Sequence, residues 1–145
     1  MQVDNILQSK GMTVLTVAAH APVSEAVRVL NEHRIGAVVV LADSGAIAGI
    51  LSERDIVRRL ADDPDDPAGL LKRAVREIMT SEVITCSRRT EISELMEQMT
   101  RYRIRHIPVV DDGELVGIVS IGDVVKRKIE EAEQETQALR EYIAT

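Results

Sequence analysis

Short apolar runs and amphipathic stretches alternate along this chain in an order that occurs twice. Residues 14–17 and 83–86 are brief runs whose β-branched members, Val14, Thr16, Val17, Val83, Ile84 and Thr85, favour strand over helix. Each is followed by apolar positions at helical spacing: Val23, Ala26, Val27 and Leu30 in one half, Ile92, Leu95, Met96 and Met99 in the other. Thr90 is placed to cap the second of these helices. Residues 37–41 and 107–110 are nearly unbroken apolar runs, the pattern of strands covered on both faces. Asp43-Ser44-Gly45 and Asp111-Asp112-Gly113 then supply hairpin turn chemistry. A third strand ends at Leu51 and Val119, and a helix begins at Ser52 and Ser120.

This recurrence is a tandem duplication, since residues 13–59 overlay residues 82–127 with one gap. Arg34-Ile35 falls on Arg103-Ile104. After the gap, Gly49-Ile50-Leu51-Ser52-Glu53-Arg54-Asp55 falls on Gly117-Ile118-Val119-Ser120-Ile121-Gly122-Asp123. The expected fold class is α/β (α+β), with two tandem β-α-β-β-α repeats packed about a pseudo-twofold axis. A repeat this small cannot cover both faces of its sheet alone, so the seam between the copies is the expected ligand site. Expected limits are residues 1–60 for the first repeat with its N-terminal lead-in and 61–69 for an acidic linker carrying Pro64 and Pro67. The second repeat takes residues 70–128, with residues 70–79 as a lead-in helix, and a C-terminal helical extension takes residues 129–145.

Composition narrows the function. Hydrophobic residues make up 45% and charged residues 29% of the 145-residue chain, the balance of an ordinary globular protein. The pattern holds no membrane span and residues 1–10 carry no signal-peptide pattern. With two Tyr, no Phe and no Trp there is no aromatic platform for stacking bases, and a net charge of -6 repels a phosphate backbone. Nucleic acid and membrane are therefore not expected partners. The one cysteine, Cys86, rules out an internal disulfide and agrees with a reducing compartment, so the protein is expected to be cytoplasmic. On its apolar strand Cys86 reads as a small hydrophobe. His20, His33 and His106 stand at no metal-ligand spacing, and no nucleophile-elbow pattern surrounds Ser52 or Ser120. Neither a metal site nor an enzyme is expected.

The order of elements and the doubled Gly-x-x-Ser-x-x-Asp resemble the CBS domain family, whose paired form is called a Bateman module, over nearly the whole chain. The resemblance implies a regulatory module that binds an adenosine nucleotide: AMP, ADP or ATP, with NAD and S-adenosylmethionine as further candidates. It implies that Asp55 or Asp123 binds ribose hydroxyls while Ser52 or Ser120 reaches phosphate. A carboxylate accepts two hydrogen bonds from a diol, and a helix N-terminus attracts anions. The same Ser-x-x-Asp also reads as a capping box, and the two roles can coexist. Gly122, in the first helical turn, would suit close backbone approach by a ligand. Basic residues before an apolar-Pro pair contact phosphate in the family, which makes Arg105 and His106 phosphate ligands ahead of Ile107 and Pro108. Arg103 is a further one, although Arg34 matches it and both could instead form salt bridges. The resemblance places nonpolar adenine contacts at Thr16, Thr85, Ala37, Val38, Ile107 and Pro108, positions that also read as plain core. Repeat one has Gly36-Ala37 where repeat two has Arg105-His106, so the two sites should differ.

Val125, Ile129, Ala132, Thr136, Leu139 and Ile143 recur at alternating spacings of four and three, a heptad seam. It either lies along its own body or pairs with the same helix of another chain, and the homodimer is the reading preferred. The expected function is thus a homodimeric nucleotide sensor acting on an unidentified regulated protein. The alternative is a dimeric adaptor with vestigial nucleotide sites.

Overall fold

The computed structural model describes residues 1–11 and 13–145. The chain runs α1 (Val3–Lys10), β1 (Thr16–Ala18), α2 (Val23–His33), β2 (Ala37–Leu41), β3 (Ile47–Ser52), α3 (Glu53–Asp62) and α4 (Pro67–Lys72). A 3-10 turn (Val75–Glu77), α5 (Ile92–Tyr102), β4 (His106–Asp111), β5 (Glu114–Ser120) and α6 (Ile121–Ala144) follow. Among the described residues no helix is long and apolar enough to cross a membrane.

Two compact units form, residues 14–84 and residues 1–13 with 85–145. In the first, β1 pairs parallel with β2 and β2 antiparallel with β3, Ala37 facing Ser52 at one end of the ladder. Val38, Val40 and Leu51 project from this sheet onto Val23, Ala26 and Leu30 of α2, which explains the helical spacing of those apolar residues. In the second unit β4 pairs antiparallel with β5, from His106 opposite Ser120 to Asp111 opposite Glu114. Asp112 and Gly113 both take positive φ, 49° and 78°, so the Asp-Gly pair closes a two-residue turn of the I′ kind. Ile107, Val109 and Val119 carry the core here, against Ile92, Leu95 and Met99 of α5.

Each lead-in packs on the unit other than the one it introduces by chain order. Val3, Ile6 and Leu7 of α1 are buried in the core of β4, β5 and α5, while Leu70, Val75 and Ile78 are buried in the core of β1 to β3. The two placements are equivalent in detail. Gln2 forms an antiparallel bridge with Glu91, and Ala74 forms one with Pro22. Gly117 admits Leu7, and Gly49 admits Met79 and the Thr80 carbonyl, so closely that an added Cβ would lie 2.6 Å from the nearest of these atoms in each case. By these contacts residues 1–13 group with residues 85–145, and residues 70–84 with the first repeat.

The bridge at Ala74 also explains why residues 70–79 do not form a helix. The Val23 amide donates to Arg73 O at 2.9 Å and the Val75 amide to Ala21 O at 2.8 Å, which holds Arg73 and Ala74 extended between α4 and the 3-10 turn. Helix α4 starts earlier than expected, inside the acidic segment, because Asp66 caps the Gly69 amide at 2.9 Å and Pro67 occupies the first helical position.

The strand expected at residues 83–86 shrinks to one parallel bridge between Cys86 and Val109. Just beyond it the Ser87 amide donates to Thr90 Oγ1 at 3.0 Å and the Thr90 amide to Ser87 O at 3.2 Å, turning the chain away from the sheet. Thr90 is thereby used in a turn, and Glu91 rather than Thr90 stands at the N-cap of α5.

Candidate functional site

Both Ser-x-x-Asp motifs fold into reciprocal capping boxes where a strand passes into a helix. The Asp55 amide donates to Ser52 Oγ at 3.3 Å, and the Ser52 amide and hydroxyl donate to Asp55 Oδ2 at 2.9 and 3.1 Å. In the second unit the Asp123 amide donates to Ser120 Oγ at 3.2 Å and the Ser120 amide to Asp123 Oδ2 at 2.8 Å. The capping reading is therefore what the geometry contains, and it leaves one carboxylate oxygen on each aspartate. Asp55 Oδ1 accepts from the Thr80 hydroxyl at 3.2 Å, whereas among the described residues Asp123 Oδ1 has no hydrogen-bond partner.

Lys10, at the end of α1, closes over the second box. Its Nζ donates to Asp123 Oδ2 at 2.7 Å and to Ile118 O at 2.9 Å. Burial raises the Asp123 carboxyl, but the hydrogen bonds from Lys10 and Ser120 and the Lys10 charge together outweigh it, and the net shift is downward. Asp123 is thus an anion at neutral pH. Lys10 and the side chains of Ile6, Ser9, Lys126, Arg127 and Glu130 line a cavity of about 250 Å³ against this carboxylate.

The strand order brings the basic residues to the same end of the unit. His106 stands directly across the ladder from Ser120, and the Ile121 amide, first in α6, donates to the Arg105 carbonyl at 2.8 Å. The Arg105 side chain is exposed. Ser120, Asp123, Arg105 and His106 therefore stand at one helix N-terminus, whose dipole favours an anion although its Ile121 and Asp123 amides are already paired. In residues 14–84 the same bond runs from the Glu53 amide to the Gly36 carbonyl at 3.0 Å, with Ala37 across from Ser52, so that end lacks cations of this kind.

Arg103 closes α5 in the left-handed conformation at φ 53°, as Arg34 closes α2 at φ 52°. The Ile104 amide reaches Met99 O at 3.1 Å and the Ile35 amide Leu30 O at 3.1 Å, the six-residue bond that ends many helices. The salt bridges considered for these two arginines do not form among the described residues.

The remaining residues named for base contacts fall in different surroundings. Val38 and Ile107 are fully buried in the cores of their own units, where their side chains pack the sheet. Ala37 and Pro108 are buried outside those two cores, and Thr16 and Thr85 are exposed. Among the described residues a Cβ at Gly122 would meet only Ser120 Oγ, at 3.6 Å, an ordinary contact that does not demand glycine there. Lys10 and Thr80, which touch the two aspartates, went unmarked. The signal was the shared spacing of Val3, Ile6 and Leu7 with Val75, Ile78 and Met79, upstream of the stretches that overlay most plainly.

The sequence profile of the CBS domain matches residues 9–62 and again 75–130. The chain belongs to the CBS domain family. The CBS domain-containing protein CBSX3, mitochondrial, of Arabidopsis thaliana is 36% identical over 97% of this chain and 71% of its own length. The CBS-domain containing protein ATU1752 from Agrobacterium tumefaciens superposes with a TM-score of 0.82 at 42% identity, covering 88% of this chain and 92% of that one. The CBS domain protein PAE2072 from Pyrobaculum aerophilum, solved in complex with AMP, gives 0.74 at 29% identity over 85% and 89%. The CBS domain pair of protein MJ0100, solved with 5-methylthioadenosine and S-adenosyl-L-methionine, gives 0.75 at 29% identity over 87% and 98%. CBS pairs of this fold thus take adenosine compounds.

Proposed function

We propose that this CBS pair is a regulatory module that binds a phosphorylated adenosine ligand at the end of its second repeat, and that it modulates a partner protein and catalyses no reaction. The observation that carries the proposal is the Asp123 carboxylate. One oxygen is fixed by Ser120 and Lys10, the other has no partner among the described residues, and the helix N-terminus and His106 stand beside it. Such a carboxylate accepts from a ribose hydroxyl without any rearrangement of the cap.

The cations choose among adenosine compounds. Arg105 and Arg103 favour AMP, ADP or ATP over S-adenosylmethionine, whose sulfonium would meet like charge, and His106 adds a hydrogen-bonding ring beside them. The Asp55 end is the weaker site, since Thr80 already occupies its second oxygen and Gly36-Ala37 replaces the basic pair. We place the assembly as a homodimer joined through the apolar stripe of α6.

A thermal-shift series with AMP, ADP, ATP, NAD and S-adenosylmethionine tests the reading. At a hundredfold excess over Kd a bound nucleotide stabilises the fold by about 2.7 kcal/mol, a shift of several degrees in a chain of this size. Asp123→Asn, which keeps an acceptor for the cap, should lose most of the shift, while Asp55→Asn keeps it. A flat response to every compound at millimolar concentration would leave the adaptor reading, which the two complete capping boxes favour.

A further inference from the structure

Helix α6 is one unbroken helix from Ile121 to Ala144, and only its first part packs on its own unit. Val124 is fully buried in the core, whereas every residue from 132 onward is exposed. A free stretch of that length is marginal as an isolated helix in water, where stability sets in at about 12–15 residues even for good helix formers. The exposed part nevertheless carries an ordered seam. Val125 is 46%, Ile129 54%, Leu139 59% and Ile143 75% exposed, with Ala132 and Thr136 completing the four-three spacing. At 3.6 residues per turn this stripe lies about 100° around the helix from Val124, so it points beside its own body and not into it.

The residues flanking the seam say what covers it. With Ile129, Thr136 and Ile143 at the a positions and Val125, Ala132 and Leu139 at d, the adjoining e positions are Lys126, Glu133 and Arg140 and the g positions include Lys128 and Glu135. In a parallel pair each g residue meets the e residue five positions further along the other helix. Lys128 then meets Glu133 of the second copy and Glu135 meets Arg140, both attractive, and each contact occurs twice. The antiparallel pairing that keeps all six seam positions engaged sets Glu133 against Glu133, Glu135 against Glu135 and Lys126 against Arg140. The a positions are all β-branched, the choice that suits two parallel strands.

We infer that α6 of two copies of this chain forms a parallel, in-register two-stranded coiled coil over residues 125–143. The inference rests on the homodimer proposed above and fixes its geometry. Lys128, which pairs with Glu131 of its own helix at 3.4 Å, exchanges that half-buried contact for Glu133 of the second copy.

Sedimentation of the full chain with cysteine crosslinking tests it. The wild type should sediment as a dimer. Under mild oxidation Leu139→Cys should give a disulfide-linked dimer, because position 139 faces itself across a parallel seam. An antiparallel pair would set it about 15 Å away along the axis. Ala138→Cys, on the outer face, should not crosslink. Lys128→Glu should raise the dimer dissociation constant roughly tenfold by turning two attractive contacts repulsive, and Lys128→Glu combined with Glu133→Lys should restore it. Circular dichroism separates loss of association from loss of fold. A monomeric wild type overturns both the homodimer and the coiled coil. A dimer in which Leu139→Cys stays unlinked, or crosslinks no faster than Ala138→Cys, overturns the parallel geometry and leaves the homodimer standing.

Discussion

Lys10 and Asp123, 113 residues apart in the chain, are joined by a 2.7 Å contact that ties the end of α1 to the first turn of α6. The contact exists because α1 packs with the second repeat, where Leu7 enters the space left by Gly117. The carboxylate that we assign to the ribose is therefore held in place by a segment from the other end of the chain.

This pairing makes stability depend on acid. The folded Asp123 carboxyl sits below its ordinary value of 3.8, so the pair stabilises the fold fully above that pH and loses its contribution as pH falls through the folded value. Lys10→Met should bring the Asp123 carboxyl back up and remove part of the acid-induced loss of stability below about pH 4. Carboxyl carbon shifts followed by NMR, together with urea melts at several pH values, measure both. An Asp123 titration identical in wild type and Lys10→Met would refute the pairing.

The exchanged lead-ins predict unequal costs for two equivalent glycines. An added Cβ at Gly49 would lie 2.6 Å from the Thr80 carbonyl oxygen, which belongs to backbone bridged to Ile50. At Gly117 it would lie 2.6 Å from Leu7 Cδ2, the tip of a side chain that can turn. Gly49→Ala should destabilise by about 2–3 kcal/mol and Gly117→Ala by nearer ~1 kcal/mol. Chemical denaturation of the two variants gives the order directly, and equal losses would contradict it.

Local rules made most of the elements legible, and contacts distant in sequence account for what was not. The capping boxes need only Ser and Asp three apart, and the β4 to β5 turn needs only Asp112-Gly113, so both stood in the sequence before any tertiary contact was known. Cys86 is different. Its neighbours have strand composition, yet the turn made by Ser87 and Thr90 leaves it a single bridge. Lys10 reaches Asp123 only through the lead-in exchange, which no local pattern encodes. The family resemblance places base contacts at Val38 and Ile107, whereas long-range packing buries both side chains in the cores of their units.

Burial of Cys86, with the Glu94 charge as a second cause, pushes its thiol up to about 12 from an ordinary 9.0. The native protein should therefore resist thiol reagents near pH 8 and react only as it unfolds, a rate readable with a chromogenic disulfide across a denaturant series. The sign for stability follows from the raised value. The contribution is full below pH 9.0 and declines as pH rises toward about 12, because the unfolded thiol ionises first. Rapid labelling in the absence of denaturant would show the thiol to be accessible.

Arg34 and Arg103 adopt nearly the same strained conformation, with φ of 52° and 53°, where glycine would relieve the contact between Cβ and backbone. If strain were the whole account, Arg34→Gly and Arg103→Gly would behave alike, each stabilising the fold by about 0.5–1 kcal/mol after the larger entropy loss of glycine is subtracted. The proposed nucleotide site separates them. Arg103 follows α5 and leads into Arg105 and His106, whereas Arg34 leads into Gly36-Ala37 and has no such neighbours. Arg103→Gly should thus raise the melting temperature of the free protein while weakening AMP binding roughly tenfold, the scale of one charge-assisted phosphate contact. Arg34→Gly should raise the melting temperature and leave AMP affinity unchanged. Calorimetric titration of both variants decides the matter, and equal AMP affinity in the two would remove Arg103 from the phosphate site.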